Sequence, residues 1–128
     1  MATDFPTEIS QLRTTMTSVR EVTDLDALGA KIAELEAKAG APDLWDDPDS
    51  AQQVTSALSR AIAERDRVTE MDGRIDDLEV LVELGQEEGD SATLDEAERE
   101  LEAIRAQVGE LEVRTLLAGE YEIGRAHV

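Results

Sequence analysis

Thirty-one carboxylates and one histidine are the titratable groups on offer for acid–base work, and there is no cysteine. His127 lies in the terminal tail, so no Ser-His-Asp set, Cys-His pair or histidine-based metal cluster can be assembled around it. The glycines Gly85 and Gly89 are not followed by Lys-Ser or Lys-Thr, so they do not form a phosphate loop. Asp43, Asp46, Asp47 and Asp49 are close in sequence. They lack the alternating ligand spacing, central glycine and closing glutamate of a calcium loop, and helix capping accounts for them more simply. With carboxylates this abundant, a pair at any chosen spacing carries no information. No catalytic, cofactor-binding or metal-binding residue is therefore expected, and the chain is expected not to be an enzyme by itself.

The elements that would position a site come next, and they read as helices. Aromatic residues make up 2% of the 128-residue chain. A core built from Leu, Val, Ile, Met and Ala suits helix-on-helix packing. The formal net charge of −19 disfavours wrapping nucleic acid, where cations must neutralise phosphates. It favours basic partners and solubility. No apolar run approaches membrane-spanning length, and Met1-Ala2-Thr3-Asp4-Phe5 is not a secretory signal, so a cytoplasmic protein with no membrane partner is the expectation.

The clearest punctuation is Gly40-Ala41-Pro42-Asp43-Leu44-Trp45-Asp46-Asp47-Pro48, which holds two of the three prolines and the only tryptophan. Gly40 is expected to close a helix in the left-handed conformation, and Pro42 cannot continue one. Asp47 is expected to cap the next helix, with Pro48 at its first position. Trp45 is expected to fold back as a plug on the helix junction.

The first helix begins near Asp4 or Thr7, with Ile9, Leu12, Met16 and Val19 at helical spacing. After a break near Val22-Thr23-Asp24, Asp24 caps a second helix whose Leu25, Leu28, Ile32 and Leu35 form one stripe. Glu34 and Lys38 are an i, i+4 pair on its outer side. The third helix is expected from Pro48 to about Leu84, with Val54, Ala61, Val68, Ile75 and Val82 every seven residues and Leu58, Met71 and Leu78 beside them. The turn is Gly85-Gln86-Glu87-Glu88-Gly89-Asp90, and Asp90, Ser91 or Thr93 caps the fourth helix. Leu94, Ala97, Leu101, Ile104, Val108 and Leu111 then make the cleanest heptad of the chain. A short turn between two heptad helices means an antiparallel hairpin. The fold class is thus all-α: a hairpin of two long heptad helices completed by two shorter N-terminal helices, spanning 1–118. Gly119 is expected to close the last helix.

Two stretches carry a resemblance. Ala41-Pro42-Asp43-Leu44-Trp45-Asp46-Asp47-Pro48 with Ala51-Gln52, and Leu111-Glu112-Val113-Arg114-Thr115-Leu116-Leu117-Ala118-Gly119-Glu120-Tyr121, are similar to the N-terminal domain of the bacterial class I peptide chain release factors of the release factor 2 type. The resemblance covers about residues 5 to 121. It implies a helical bundle that docks near the base of the ribosomal stalk, where the acidic charge leads to the expectation of a ribosomal protein as the partner and no direct nucleic-acid binding. The whole factor directs termination at UGA and UAA by triggering peptidyl-tRNA hydrolysis. Its codon-reading Ser-Pro-Phe and its Gly-Gly-Gln loop lie in later domains, and neither tripeptide occurs here. On this reading the chain is a truncated first domain, and 119–128 leads toward a missing central domain. Residues 122–128, Glu-Ile-Gly-Arg-Ala-His-Val, depart from the family pattern. That string can be encoded by a common sequencing adapter, so a non-native origin is the expectation. A free-standing acidic helical interaction module is the competing reading of the heptads and charge.

Overall fold

The computed structural model describes residues 3–126, with side chains described as far as Ala118. Among them the backbone forms four α-helices and one 3-10 turn, with no strand, in keeping with the all-α expectation. The helices are α1 (Phe5–Thr23), α2 (Leu25–Ala39), α3 (Pro48–Glu88) and α4 (Ser91–Ala126), with the 3-10 turn at Leu44–Asp46 between α2 and α3. They form two compact units. One takes the chain up to Val22 together with the part from Val68 on; the other takes Thr23–Arg67.

In the first unit α1, the second half of α3 and α4 share one apolar core. Asp4 starts α1: its carboxylate accepts from the Thr7 amide at 3.2 Å and the Thr7 hydroxyl at 2.8 Å. Phe5, Ile9, Leu12, Met16 and Val19 then fall on one face, and all five are buried. Val68, Met71, Ile75, Leu78 and Val82 of α3 and Ala97, Leu101, Ile104, Val108 and Leu111 of α4 are buried too. The α4 heptad and the α3 heptad from Val68 on thus form the seam of an antiparallel pair covered by α1, whereas Leu58 and Ala61, expected in the same stripe, pack against α2 in the second unit.

Ion pairs rim this core. Arg13 reaches Asp76 at 2.9 Å and Glu79 at 3.4 Å, and Arg20 reaches Asp72 at 2.7 Å, so α1 runs antiparallel to α3. Arg105 lies 3.6 Å from Glu8, and Thr3 donates to Glu98 at 2.6 Å, so α1 runs parallel to α4. Arg74 joins α3 to Glu100 at 2.7 Å and to Gln107. These pairs are partly exposed and individually weak; they set register more than stability.

The α3–α4 turn is tighter than the spacing of its glycines predicts. Helix α3 runs through Gly85 to Glu88, past the expected end near Leu84. Gly89 takes the left-handed conformation at φ 62°. The Asp90 amide donates to the Gly85 carbonyl at 2.9 Å, and the Gly89 amide to that of Gln86 at 3.4 Å. This paired closure satisfies two orphan carbonyls at once. Gly85 is a packing glycine: a Cβ there would lie 2.8 Å from Leu94 Cδ2.

The second unit pairs α2 with the first half of α3. Asp24 turns the chain in the left-handed region at φ 56° while its side chain accepts from the Ala27 amide at 3.2 Å. Leu28, Ile32 and Ala61 are buried together, with Leu25, Leu35, Leu58 and Ile62 packed around them. Lys38 pairs with Glu34 at 3.4 Å on the outer side. Gly40 does not use left-handed freedom; it lies at φ −88°, ψ −3°. Its amide and that of Ala41 bond to Glu36 and Lys38 carbonyls, so a tightened last turn followed by Pro42 ends the helix.

Helix α4 does not close at Gly119 but continues to Ala126. A glycine in right-handed conformation weakens a helix without stopping it, and no proline follows. His127 lies outside the described residues.

Candidate interaction surfaces

No buried polar or charged side chain occurs among the described residues. No group is therefore desolvated in the way that tunes a catalytic acid or base. Among the same residues no three His, Asp or Glu side chains converge closely enough to hold a metal ion. Clear pKa displacements fall on structural groups. The Asp47 carboxyl is held below its ordinary range by the Ser50 hydroxyl and amide, and that of Asp90 by the Thr93 hydroxyl and amide. The Arg13 guanidinium is raised by its bond to Asp76, with Glu79 adding. The chemistry these groups carry is capping and pairing.

The Trp45 loop is the first candidate surface. Asp47 caps α3 as its position predicts: one oxygen accepts from the amides of Asp49 and Ser50 at 3.2 and 3.4 Å, the other from the Ser50 hydroxyl at 2.8 Å. Pro48 opens the helix. The expected plug is not found, because Trp45 is 67% exposed. Leu44 and Trp45 are neighbours in one 3-10 turn, where successive side chains leave about 120° apart. Leu44 is half-buried, and that turns Trp45 outward. Bonds from Leu44 to Ala41, Asp46 to Asp43 and Asp47 to Leu44 hold the turn in this sense.

A second surface lies on α4 in the first unit, where a groove is lined by Gly109, Glu110, Val113, Arg114 and Leu117. Val113, Leu116 and Leu117 are about half exposed or more. The signal for this strip was available: continuing the Leu94-to-Leu111 spacing leads to 115 and 118, so these three apolar residues stand off the core stripe. Val80 and Leu84 on α3 are off-stripe and exposed in the same way.

A third surface belongs to the second unit, where Lys31 of α2 joins Arg60 and Arg67 of α3 around one shallow groove, with Glu64 between them. The sequence marks Arg60, Glu64 and Arg67 as a mixed face of α3; only packing brings Lys31 to it.

Comparison with known proteins bears on what these surfaces serve. Residues 28–127 match the family model of the PCRF domain. The chain belongs to the PCRF domain family. PCRF relatives include a protein named peptide chain release factor 2 from Kineococcus radiotolerans, 59% identical over 128 residues, which is all of this chain and 35% of that protein. A second, from Beutenbergia cavernae, bears the same name and is 61% identical over 128 residues, covering 34% of its length. A third, from Mycobacterium avium, is 49% identical over 124 residues, or 95% of this chain and 34% of the relative. The chain thus spans about a third of the length of these curated relatives. The family match covers the Trp45 loop and residues 111–121, the two stretches that carry the resemblance seen in the sequence.

Proposed function

We propose that this chain is the ribosome-docking first domain of a release factor 2, acting in termination at UGA and UAA without reading the codon or supporting hydrolysis itself. The observation that carries this reading is a match along essentially the whole chain to about a third of proteins named peptide chain release factor 2. The absence of Ser-Pro-Phe and Gly-Gly-Gln from the sequence supports the division of labour. A core that is all apolar among the described residues supports a scaffold reading. The resemblance implies docking at the factor-binding region near the stalk base, and a net charge of −19 favours a basic ribosomal protein over phosphate as the partner there. The setting is the cytoplasm; among the described residues no helix is long and apolar enough to cross a membrane.

The test is a reconstituted termination reaction. The chain should co-sediment with ribosomes, release no peptide at any stop codon, and in excess slow release by an intact release factor 2. Codon-dependent release by the chain alone would overturn the assignment, and so would failure to bind ribosomes under conditions where the intact factor binds.

A further inference from the structure

Trp45 is the largest apolar side chain of the molecule, and it is held in solvent by a hydrogen-bonded turn. Its surroundings say what would cover it. From 39 to 59 the chain carries Asp43, Asp46, Asp47 and Asp49 and no lysine or arginine. Asp47 spends its oxygens on the α3 cap. Asp43, Asp46 and Asp49 are in no ion pair among the described residues; Lys38 before the loop is paired with Glu34, and Arg60 lines one groove with Asp49 without pairing to it.

We propose that the Trp45 turn is a docking point for an arginine-bearing segment of a basic protein, with a guanidinium laid on the indole face and paired to the carboxylates of Asp43, Asp46 or Asp49. A purely apolar partner would cover the indole at the cost of stripping water from three unpaired carboxylates. A phosphate-bearing partner would meet those same charges in repulsion. A guanidinium satisfies both features: tryptophan is the strongest cation–π acceptor among the side chains, and the planar fork matches a carboxylate as well as a ring. Tryptophan and arginine are also the side chains that most often carry the energy of an interface. The turn is preformed by its own hydrogen bonds, so docking loses little backbone freedom. The inference rests on the docking reading above for its biological setting, and on the exposed indole and its unpaired acids for its chemistry.

The experiment titrates the 128-residue chain with an oligo-arginine peptide, an oligo-lysine peptide of equal charge and a short RNA duplex. It follows Trp45 emission together with calorimetry. The variants are Trp45→Ala, Trp45→Phe and the triple change Asp43→Asn, Asp46→Asn, Asp49→Asn, which leaves the Asp47 cap intact. Oligo-arginine should bind more tightly than oligo-lysine and change Trp45 emission. Trp45→Ala should weaken it about fivefold, with Trp45→Phe between the two. The triple variant should weaken it as well. Equal binding by wild type and Trp45→Ala overturns the proposal, because overall charge alone then holds the peptide; an emission change produced by RNA and not by peptide overturns it too. Ribosome co-sedimentation separates the two readings. If wild type and Trp45→Ala pellet equally, docking stands and this inference falls. If arginine binding depends on Trp45 but neither protein pellets, this inference stands and docking falls.

Discussion

Single residues divide sharply here into those that hold the core and those that face water. Ile104 is fully buried on the core stripe of α4, as are Ile75 of α3 and Met16 of α1. Ile104→Ala should lower unfolding free energy by about 2–5 kcal/mol, because the removed methyl groups leave a cavity that three packed helices cannot collapse into. A shift in the urea midpoint with an unchanged slope checks it. Trp45 has more than twice the side-chain size to lose, yet Trp45→Ala should change stability by no more than about 0.5 kcal/mol, since its indole contributes little to any core. The same denaturation series reads both. A large loss at Trp45 would mean that the plug expected from the loop's composition exists in solution.

At the level of elements, the helix ends carry the specificity. Gly89 joins α3 to α4 in the left-handed region, where a Cβ meets the following carbonyl. Gly89→Ala should cost about 1–2 kcal/mol although a Cβ there has open space around it, which thermal melting can test. Asp90 both completes the α3 closure and caps α4, accepting from the Ala92 amide at 3.0 Å, the Thr93 amide at 3.2 Å and the Thr93 hydroxyl at 2.9 Å. Its carboxyl pKa is depressed in the fold by these bonds, the Thr93 hydroxyl first. A depressed carboxyl stabilises the fold above the ordinary aspartate pKa of about 3.9 and loses that contribution as pH falls through the folded value. The melting-point advantage of wild type over Asp90→Asn should therefore be full at neutral pH and shrink below about pH 4. An advantage that stays constant down to pH 2 would show that the charge of Asp90 is not what caps α4.

For the whole molecule, charge is the dominant long-range term. A net −19 on 128 residues means that carboxylates outnumber cationic partners, and the ion pairs described along α1, α3 and α4 are partly exposed. Salt weakens such pairs slightly, but it screens the surplus repulsion far more. Raising ionic strength from low to about 1 M, where the screening length falls to about 3 Å, should raise the melting temperature. A fall would mean that specific pairs outweigh the surplus. The same surplus is what a basic partner would relieve, which ties the chain's marginal electrostatics to the docking proposed for it.

Heptad spacing was enough to place the α3–α4 seam, because a buried stripe on a helix must recur with the helical period whatever lies opposite it. Capping was equally legible: Asp24 and Asp47 each stand where orphan amides need an acceptor, and that need is local. Family membership, too, follows from residues in order along the chain. Packing decided the rest. Gly85 became a contact for Leu94 instead of a turn, Gly40 ended α2 without left-handed freedom, and α4 ran on through Gly119, since a glycine's role depends on which neighbours approach it. Nothing in the loop's composition could say whether Leu44 or Trp45 would turn inward. One 3-10 turn can bury only one of two adjacent side chains, and that choice was settled in three dimensions, leaving the only tryptophan in water.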